Sequence, residues 1–131
     1  MILVDTTVWV DFFRGTNSPV NRIFRQLIEQ EDDLCLTPLN VTEILQGIRH
    51  EALYEETKDH LLQFPLFHSD GISTFLHAAD IYRACRGRGR TIRSTIDCMI
   101  AAIAIEHDLT VLHNDRDFVH IAACTRLRLF R

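Results

Sequence analysis

The chain opens on Met1-Ile2-Leu3-Val4-Asp5-Thr6-Thr7, a short apolar run that ends on a carboxylate followed by two hydroxyl groups. A continuous apolar run of this length is typical of a strand buried on both faces, and such strands occur in parallel sheets that are covered by helices. In open α/β sheets, ligands bind beyond the carboxyl ends of the strands. The sequence therefore predicts an α/β fold and places Asp5 at the edge of the sheet where a functional site forms.

Other acidic residues are expected at the same edge. The run Thr110-Val111-Leu112-His113 is typical of a second buried strand, and it ends at once in the polar Asn114-Asp115-Arg116-Asp117. A mid-chain helix carries Glu43, and the helix predicted over 96–105 is apolar nearly all round except for Asp97. Together, these elements bring five carboxylates to one edge of the sheet: Asp5, Glu43, Asp97, Asp115 and Asp117.

The other elements complete a single domain spanning residues 1–131. A chain of 131 residues with 47% hydrophobic content is long enough to bury a core without covalent cross-links. Apolar periodicity and helix-start signals predict the bounds of the remaining helices and strands. Helices are expected over 7–14, from Ser18-Pro19, from Pro38, over 50–63, 72–86 and 96–105, and strands over 33–37, 110–113 and 126–130, with an edge strand or extended link over 64–67.

Composition bounds the cellular setting. Four cysteines lie far apart with no paired spacing, which favours reduced, mostly buried thiols over a zinc or redox motif. No apolar stretch approaches the roughly 18 residues of a membrane span, and the start lacks the layout of a signal peptide. We expect a cytoplasmic protein with no membrane association.

The five predicted carboxylates indicate a metal site. Like charges brought together repel each other, so divalent cations are their natural compensation. Carboxylates without cysteine or spaced histidine pairs favour Mg²⁺ or Mn²⁺ over Zn²⁺. His113, alone at a strand end, is more typical of a hydrogen-bonded neighbour than of a ligand. A magnesium site of this kind suits phosphodiester hydrolysis, in which the metal activates water and offsets charge on the phosphate.

A non-catalytic α/β regulatory or metal-binding module is the alternative from another class. An early buried aspartate would suit a phosphoacceptor, but the only lysine, Lys58, lies in a charged helix and does not follow a late strand. A phosphatase with an aspartyl nucleophile would need a second acid two residues after Asp5, where Thr7 stands. These residues favour the nuclease chemistry.

Four stretches of the chain carry a resemblance to a known family. They are Asp5-Thr6-Thr7-Val8-Trp9, Pro38-Leu39-Asn40-Val41-Thr42-Glu43, Thr95-Ile96-Asp97-Cys98-Met99-Ile100-Ala101-Ala102 and His113-Asn114-Asp115-Arg116-Asp117-Phe118. In order, spacing and flanking residues the set resembles a PIN domain, and more narrowly the VapC ribonuclease toxins of VapBC toxin-antitoxin pairs. The resemblance covers almost the whole chain.

The resemblance implies a three-layer α/β/α PIN-like fold with a central, mostly parallel sheet. It also implies an endoribonuclease dependent on Mg²⁺ or Mn²⁺, with transfer RNA the favoured substrate. Its implied partners are a second copy in a homodimer and a cognate VapB antitoxin in a hetero-oligomer. A PIN nuclease of RNA processing, outside any toxin-antitoxin pair, is the remaining alternative.

Site residues follow from the resemblance by position. Asp5, Glu43, Asp97 and Asp115 match the acidic quartet, which serves in catalysis and metal binding. Asp117 matches a further acid at the metal. Thr6 matches the family residue whose hydroxyl lies beside the metal.

A cluster of arginines is the feature that depends most on this sequence. The chain has a net charge of −4, yet five of its 14 basic residues fall within residues 83–93. The cluster is equally consistent with a phosphate-binding surface and with a solvated or protein-binding loop. Because the segment runs directly into the helix bearing Asp97, we predict that four of its residues guide the RNA backbone. They are Arg86, Arg88, Arg90 and Arg93.

Overall fold

The computed structural model describes all residues from Met1 to Arg131. Four strands form one sheet: β1 (Ile2–Val4), β2 (Leu34–Cys35), β3 (Thr110–Leu112) and β4 (Arg128–Leu129). Seven helices surround it: α1 (Thr6–Arg14), α2 (Pro19–Glu29), α3 (Pro38–Gln46), α4 (Glu51–Leu61), α5 (Gly71–Gly87), α6 (Thr95–Glu106) and α7 (Arg116–Cys124). Each predicted helix is present, with ends that differ from the prediction by a few residues.

The sheet is parallel throughout, with strand order β2-β1-β3-β4. This order puts β1 and β3 at the centre, so the two strands that precede acidic residues lie side by side. The strand β4 lies at an edge, as its alternating pattern predicted. Of the two options for residues 64–67, the extended link is correct. A single parallel bridge joins Leu66 to Leu36, and Pro65 has no N–H for a longer ladder.

The two faces of the sheet are buried by different helices. Leu3 and Val111 belong to a core cluster with α5, α6 and α7. Val4 and Leu112 belong to a second cluster with α1, α2, α3 and α4. Neighbouring residues of a strand point to opposite faces, so helices cover both sides. The predicted three-layer α/β/α arrangement is confirmed.

The helix α6 is the most deeply buried helix. It fills the first core cluster with residues from nearly its whole circumference, including Ile100, Ala101 and Ala104. Such a helix has no solvent-facing side on which a charge is easily placed, which makes Asp97 in its first turn an exception that calls for a partner. The four cysteines are free thiols, as predicted. None of the helices combines the length and the apolar character needed to cross a membrane.

Candidate active site

Asp5 lies at the junction between β1 and α1. It is the N-cap of α1, and its Oδ2 accepts hydrogen bonds from the Thr7 amide at 3.2 Å and the Thr7 hydroxyl at 2.8 Å. The side chain is buried. Burial raises the pKa of Asp5 to about 6, with a smaller increase from Glu43 and opposition from the Thr7 hydrogen bonds. A strand that ends on a helix cap thus holds a carboxylate at the sheet edge.

A hydrogen-bond chain joins Asp5 to Glu43 across the boundary between α1 and α3. The buried Asn40 donates from Nδ2 to Asp5 Oδ1 at 3.4 Å and to Thr6 Oγ1 at 3.2 Å. The Thr6 hydroxyl in turn donates to Glu43 Oε1 at 2.8 Å. These bonds fix two carboxylates from distant parts of the chain relative to each other.

Asn40 is a site residue that sequence reasoning missed. It is the third residue of α3 and closes a capping box, in which its Oδ1 accepts from the Thr37 amide and hydroxyl. The spacing of Thr37 and Asn40 is the usual signal for a helix start. That signal could have located the cap, but nothing in it indicates that the amide reaches Asp5.

Asp97 has no donor for its carboxylate. The residue is 6% exposed in the first turn of α6, and no hydrogen bond or ion pair within the chain reaches its side chain. Burial is the largest of the causes that together raise the pKa of Asp97 to about 8, and the charges of Asp5, Asp115, Asp117 and Glu43 contribute in that order. All four other acids therefore act on Asp97, which is the central member of the set.

The loop after β3 supplies the remaining acids. Asp115 is the N-cap of α7, and its Oδ1 accepts from the Asp117 amide at 2.9 Å. Asp117 is buried, and its Oδ2 accepts from the Arg93 amide at 3.1 Å. One carboxylate oxygen from each of Asp97, Asp115 and Asp117 lies within 4.8 Å of the others. His113 is a hydrogen-bonded neighbour, whose Nδ1 accepts from the Asp115 amide at 3.1 Å.

One of the four predicted arginines contacts the acids. The Arg93 guanidinium lies 3.2 Å from Asp115 Oδ1 and 3.5 Å from Asp117 Oδ1, while the side chain stays 75% exposed. Arg90 instead pairs with His120 on α7. The other two come earlier in the chain: Arg88 donates to the Ala123 carbonyl, and the Arg86 guanidinium lies over the Tyr82 ring.

A polar cleft of about 610 Å³ opens beside Asp115 and Asp117. None of its lining residues is hydrophobic. They are Thr91, Arg93, Asn114, Asp115, Arg116, Asp117 and His120. We refer to this space as the polar cleft. His120 and Asn114 line it and had not been assigned a role from the sequence.

The donor set fits a hard divalent cation. The candidate ligands are all carboxylates, and the one cation that touches them is the exposed Arg93. A buried carboxylate without a donor is costly, and Asp97 is surrounded by four more negative groups. Oxygen-only sites are the preference of Mg²⁺ and Mn²⁺. Asp97, Asp115 and Asp117 would hold such an ion, and the charges of Asp5 and Glu43 also act on Asp97.

Comparison with known proteins yields consistent matches. The family model of the PIN domain matches residues 2–123. The VapC ribonuclease Mb1587 of Mycobacterium bovis is 37% identical over 129 residues, which cover 98% of this chain and 96% of that protein. Ribonuclease VapC51 of Mycobacterium tuberculosis is 30% identical over 123 residues, 94% of this chain and 86% of the relative. The solved structure of VapBC-1 from nontypeable Haemophilus influenzae has a similar fold, with a TM-score of 0.75 at 19% identity, covering 99% of this chain and 97% of that one.

Proposed function

Because this chain belongs to the PIN-domain family and, within it, to the VapC ribonucleases, we propose that it is a divalent-metal-dependent endoribonuclease toxin. The observation that carries the proposal is Asp97. The residue is 6% exposed, accepts no side-chain hydrogen bond from the chain and lies among four other acids, and a divalent cation would offset the negative charge of this set. The same five acids were predicted from the sequence as the catalytic and metal-binding set.

The chain's residues have separable tasks in this reaction. A bound Mg²⁺ or Mn²⁺ would activate water and offset negative charge on the scissile phosphate. Asp97, Asp115 and Asp117 would supply carboxylate ligands to the cation. Thr6 orients Glu43 by the 2.8 Å hydrogen bond to Oε1, which leaves Oε2 without a partner in the chain and available to the reacting centre.

Cellular RNA is the proposed substrate, and transfer RNA is the favoured class within it. The support for transfer RNA is the family resemblance of the sequence. A nuclease of RNA processing is the second candidate, but the relatives above are named VapC ribonucleases and a structural neighbour is a VapBC assembly. These similarities favour the toxin, and a small overlapping upstream reading frame in the genome would support it further.

A VapB-type antitoxin is the proposed protein partner, together with a second copy of the chain. A groove of about 220 Å³ lies between α1 and α3 and has Glu43 on its wall. Its apolar members include Val10, Ile44 and Phe13, the last of which is 45% exposed. A partner segment in this groove would cover an exposed apolar surface and block the acids from RNA at the same time.

Metal dependence is tested with the purified chain. It should cleave RNA in Mg²⁺ or Mn²⁺, stop in EDTA, and recover when excess metal is restored, because the buried acids need a cation to work together. Cleavage that continues undiminished in EDTA, with trace metal removed, would contradict the proposal.

The substrate is tested in cells. After brief induction of the toxin, sequencing of new RNA 5′ ends should show a small set of sites concentrated in transfer RNA. The matched control is Asp5→Asn, which replaces a charged ligand by an amide of nearly the same shape. Ends that persist with Asp5→Asn come from host nucleases, and ends confined to messenger or ribosomal RNA would overturn the transfer RNA assignment.

A further inference from the structure

His120 is held in one orientation by Arg90. The Arg90 guanidinium lies 2.9 Å from His120 Nδ1, and both side chains are half-buried. The backbone places Arg90 there. Gly89 adopts a left-handed φ of 75°, and the Arg90 amide donates to the Cys85 carbonyl at 2.9 Å. This is the hydrogen bond that closes a Schellman turn at the end of a helix, and it directs the chain after α5 toward α7.

The pairing also selects the tautomer of the imidazole ring. A guanidinium has only donors, so His120 Nδ1 accepts the hydrogen bond and the ring carries its proton on Nε2. No atom of the chain pairs with Nε2. His120 lines the polar cleft and is half-buried, which leaves this N–H free for an acceptor from outside the chain.

The lining of the polar cleft restricts what that acceptor can be. No Phe, Tyr, Trp or aliphatic side chain lines the cleft, so it lacks the hydrophobic stacking platform that single-stranded nucleic-acid sites usually have. Arg93 and Arg116 supply positive charge beside the carboxylates of Asp115 and Asp117, which would bind the cation, and Asn114 supplies an amide. Charge and donors without a stacking surface are the pattern of contacts to phosphate and sugar oxygens.

We propose that the polar cleft is a subsite for the sugar–phosphate backbone beside the scissile bond, and that His120 donates Nε2–H to a backbone oxygen there. Arg90 is a positioning residue that acts through His120. The inference rests on the proposed ribonuclease function. It refines the predicted role of the arginine segment, since Arg93 meets the substrate directly whereas Arg90 orients another donor.

Two substitutions at one position separate the roles of the two ring nitrogens. His120→Asn keeps an acceptor near the place of Nδ1 but removes the donor at Nε2, whereas His120→Gln puts an amide N–H near the place of Nε2. We expect His120→Asn to raise KM roughly tenfold with little change in kcat, and His120→Gln to stay within about threefold of wild type. Binding of RNA in EDTA, followed by fluorescence anisotropy, should weaken in the same order. His107→Asn, on an exposed histidine that contacts the His68 carbonyl, is the matched control.

A double-mutant cycle tests whether Arg90 acts through His120. Arg90→Met should weaken RNA binding several-fold in the wild-type background and have no further effect in His120→Asn, because the ring it orients no longer donates. Additive losses would show that Arg90 binds RNA by itself and would overturn its positioning role.

The outcomes distinguish this inference from the ribonuclease function. A wild-type chain that cleaves RNA while His120→Asn retains wild-type KM and RNA affinity would overturn the subsite alone. A wild-type chain that neither binds nor cleaves RNA would overturn both. A melting temperature of His120→Asn equal to that of wild type assigns its change in KM to lost contact with RNA.

Discussion

The two sides of the acidic site are built by different interactions. On the side of α1 and α3, Asp5 and Glu43 are tied together by neutral donors from Thr6 and the buried Asn40. On the side of α7, Asp115 and Asp117 meet backbone amides and the exposed guanidinium of Arg93. We call these the amide-tied side and the arginine side.

The difference indicates a division of tasks between positioning and exchange. Neutral, buried hydrogen bonds are insensitive to salt and stay in place while ligands come and go. An exposed ion pair contributes little stability and is readily replaced by another charge. The amide-tied side therefore fixes the geometry of the acids. We expect cation and substrate to be exchanged on the arginine side, which borders the polar cleft.

Asp97 belongs to neither side, and its substitution should have the largest effect. Asp97→Asn keeps the shape of the side chain but removes the ionisable carboxyl group on which all four other acids act. Loss of a residue that only supports a ligand costs roughly 10–100-fold in activity, so we expect more than about a 100-fold loss for the central carboxylate. Circular dichroism should show an intact fold, and Mn²⁺ titration should show much weaker binding. Full activity in Asp97→Asn would remove it from the site.

Asn40→Ala tests the amide-tied side. We expect roughly a 10–100-fold loss of metal affinity or activity, because Asp5 and Glu43 lose the donor that links them, together with about 1 kcal/mol of stability from the lost capping box. The matched control is Asn21→Ala, which also removes a buried asparagine, 1% exposed, but on α2, where it pairs with Arg25. If both variants lose stability alike and neither loses metal affinity, Asn40 only caps its helix.

The pH dependence of metal binding comes next in size. In the metal-free protein, Asp97 has a pKa of about 8 and is protonated at neutral pH. Asp5 has a pKa of about 6 and is protonated at lower pH. A cation must displace these protons, so metal affinity should rise by up to about tenfold per pH unit toward pH 8 and then level off. Titration calorimetry in buffers of different ionisation enthalpy should detect the released proton at pH 7. An affinity that is constant from pH 6 to pH 8 would contradict the raised pKa of Asp97.

The stability of the metal-free protein should fall as the pH rises, whereas its metal affinity should increase. An unfolded aspartate has a pKa of about 3.9, whereas folding raises that of Asp97 to about 8. The folded state therefore binds the proton more tightly between these values, and its stability falls as the pH rises through this window. Asp97→Asn should flatten the slope in a series of melting temperatures, and saturating Mn²⁺ should reverse it. A wild-type slope that Asp97→Asn leaves unchanged would assign the effect to other groups.

Sequence reasoning located the acids but not what holds them. The strand Ile2–Val4 and the apolar helix around Asp97 were predictable because burial imposes a local apolar pattern. Sheet topology then explains why strand ends and helix starts meet at one edge. Asn40 and His120 were not predictable, since each acts through a residue more than 25 positions away in the chain. Local patterns carry no signal for such contacts.

The arginine segment shows the same limit. Its charge was visible in the sequence, but the direction of each side chain depends on how α5 ends. The left-handed Gly89 and the Arg90–Cys85 hydrogen bond separate Arg90, which meets α7, from Arg93, which reaches the acids. Roles within one charged stretch are therefore set by turn geometry rather than by charge alone.

The smallest effect is expected for Arg93→Ala. Whether metal affinity rises or falls in this variant tests the exchange of cation and substrate that we assign to the arginine side. The guanidinium competes with a cation for Asp115 and Asp117, so its removal should increase metal affinity. Because the side chain is 75% exposed, the gain should be only about two- to fivefold at low salt and vanish at high salt. RNA affinity should fall at the same time, since a positive group at the polar cleft is lost.

A rise in metal affinity together with a fall in RNA affinity would show that Arg93 gives way to the cation and binds the substrate, rather than only supporting the acids. The backbone bond from the Arg93 amide to Asp117 survives the substitution, so the loop itself stays tied. Arg128→Ala is the matched control, because it removes another exposed ion pair, with Asp108, at the far edge of the sheet. It should change neither affinity. If Arg93→Ala weakens metal binding instead, the guanidinium holds the acids in place for the cation, and both sides of the site serve positioning.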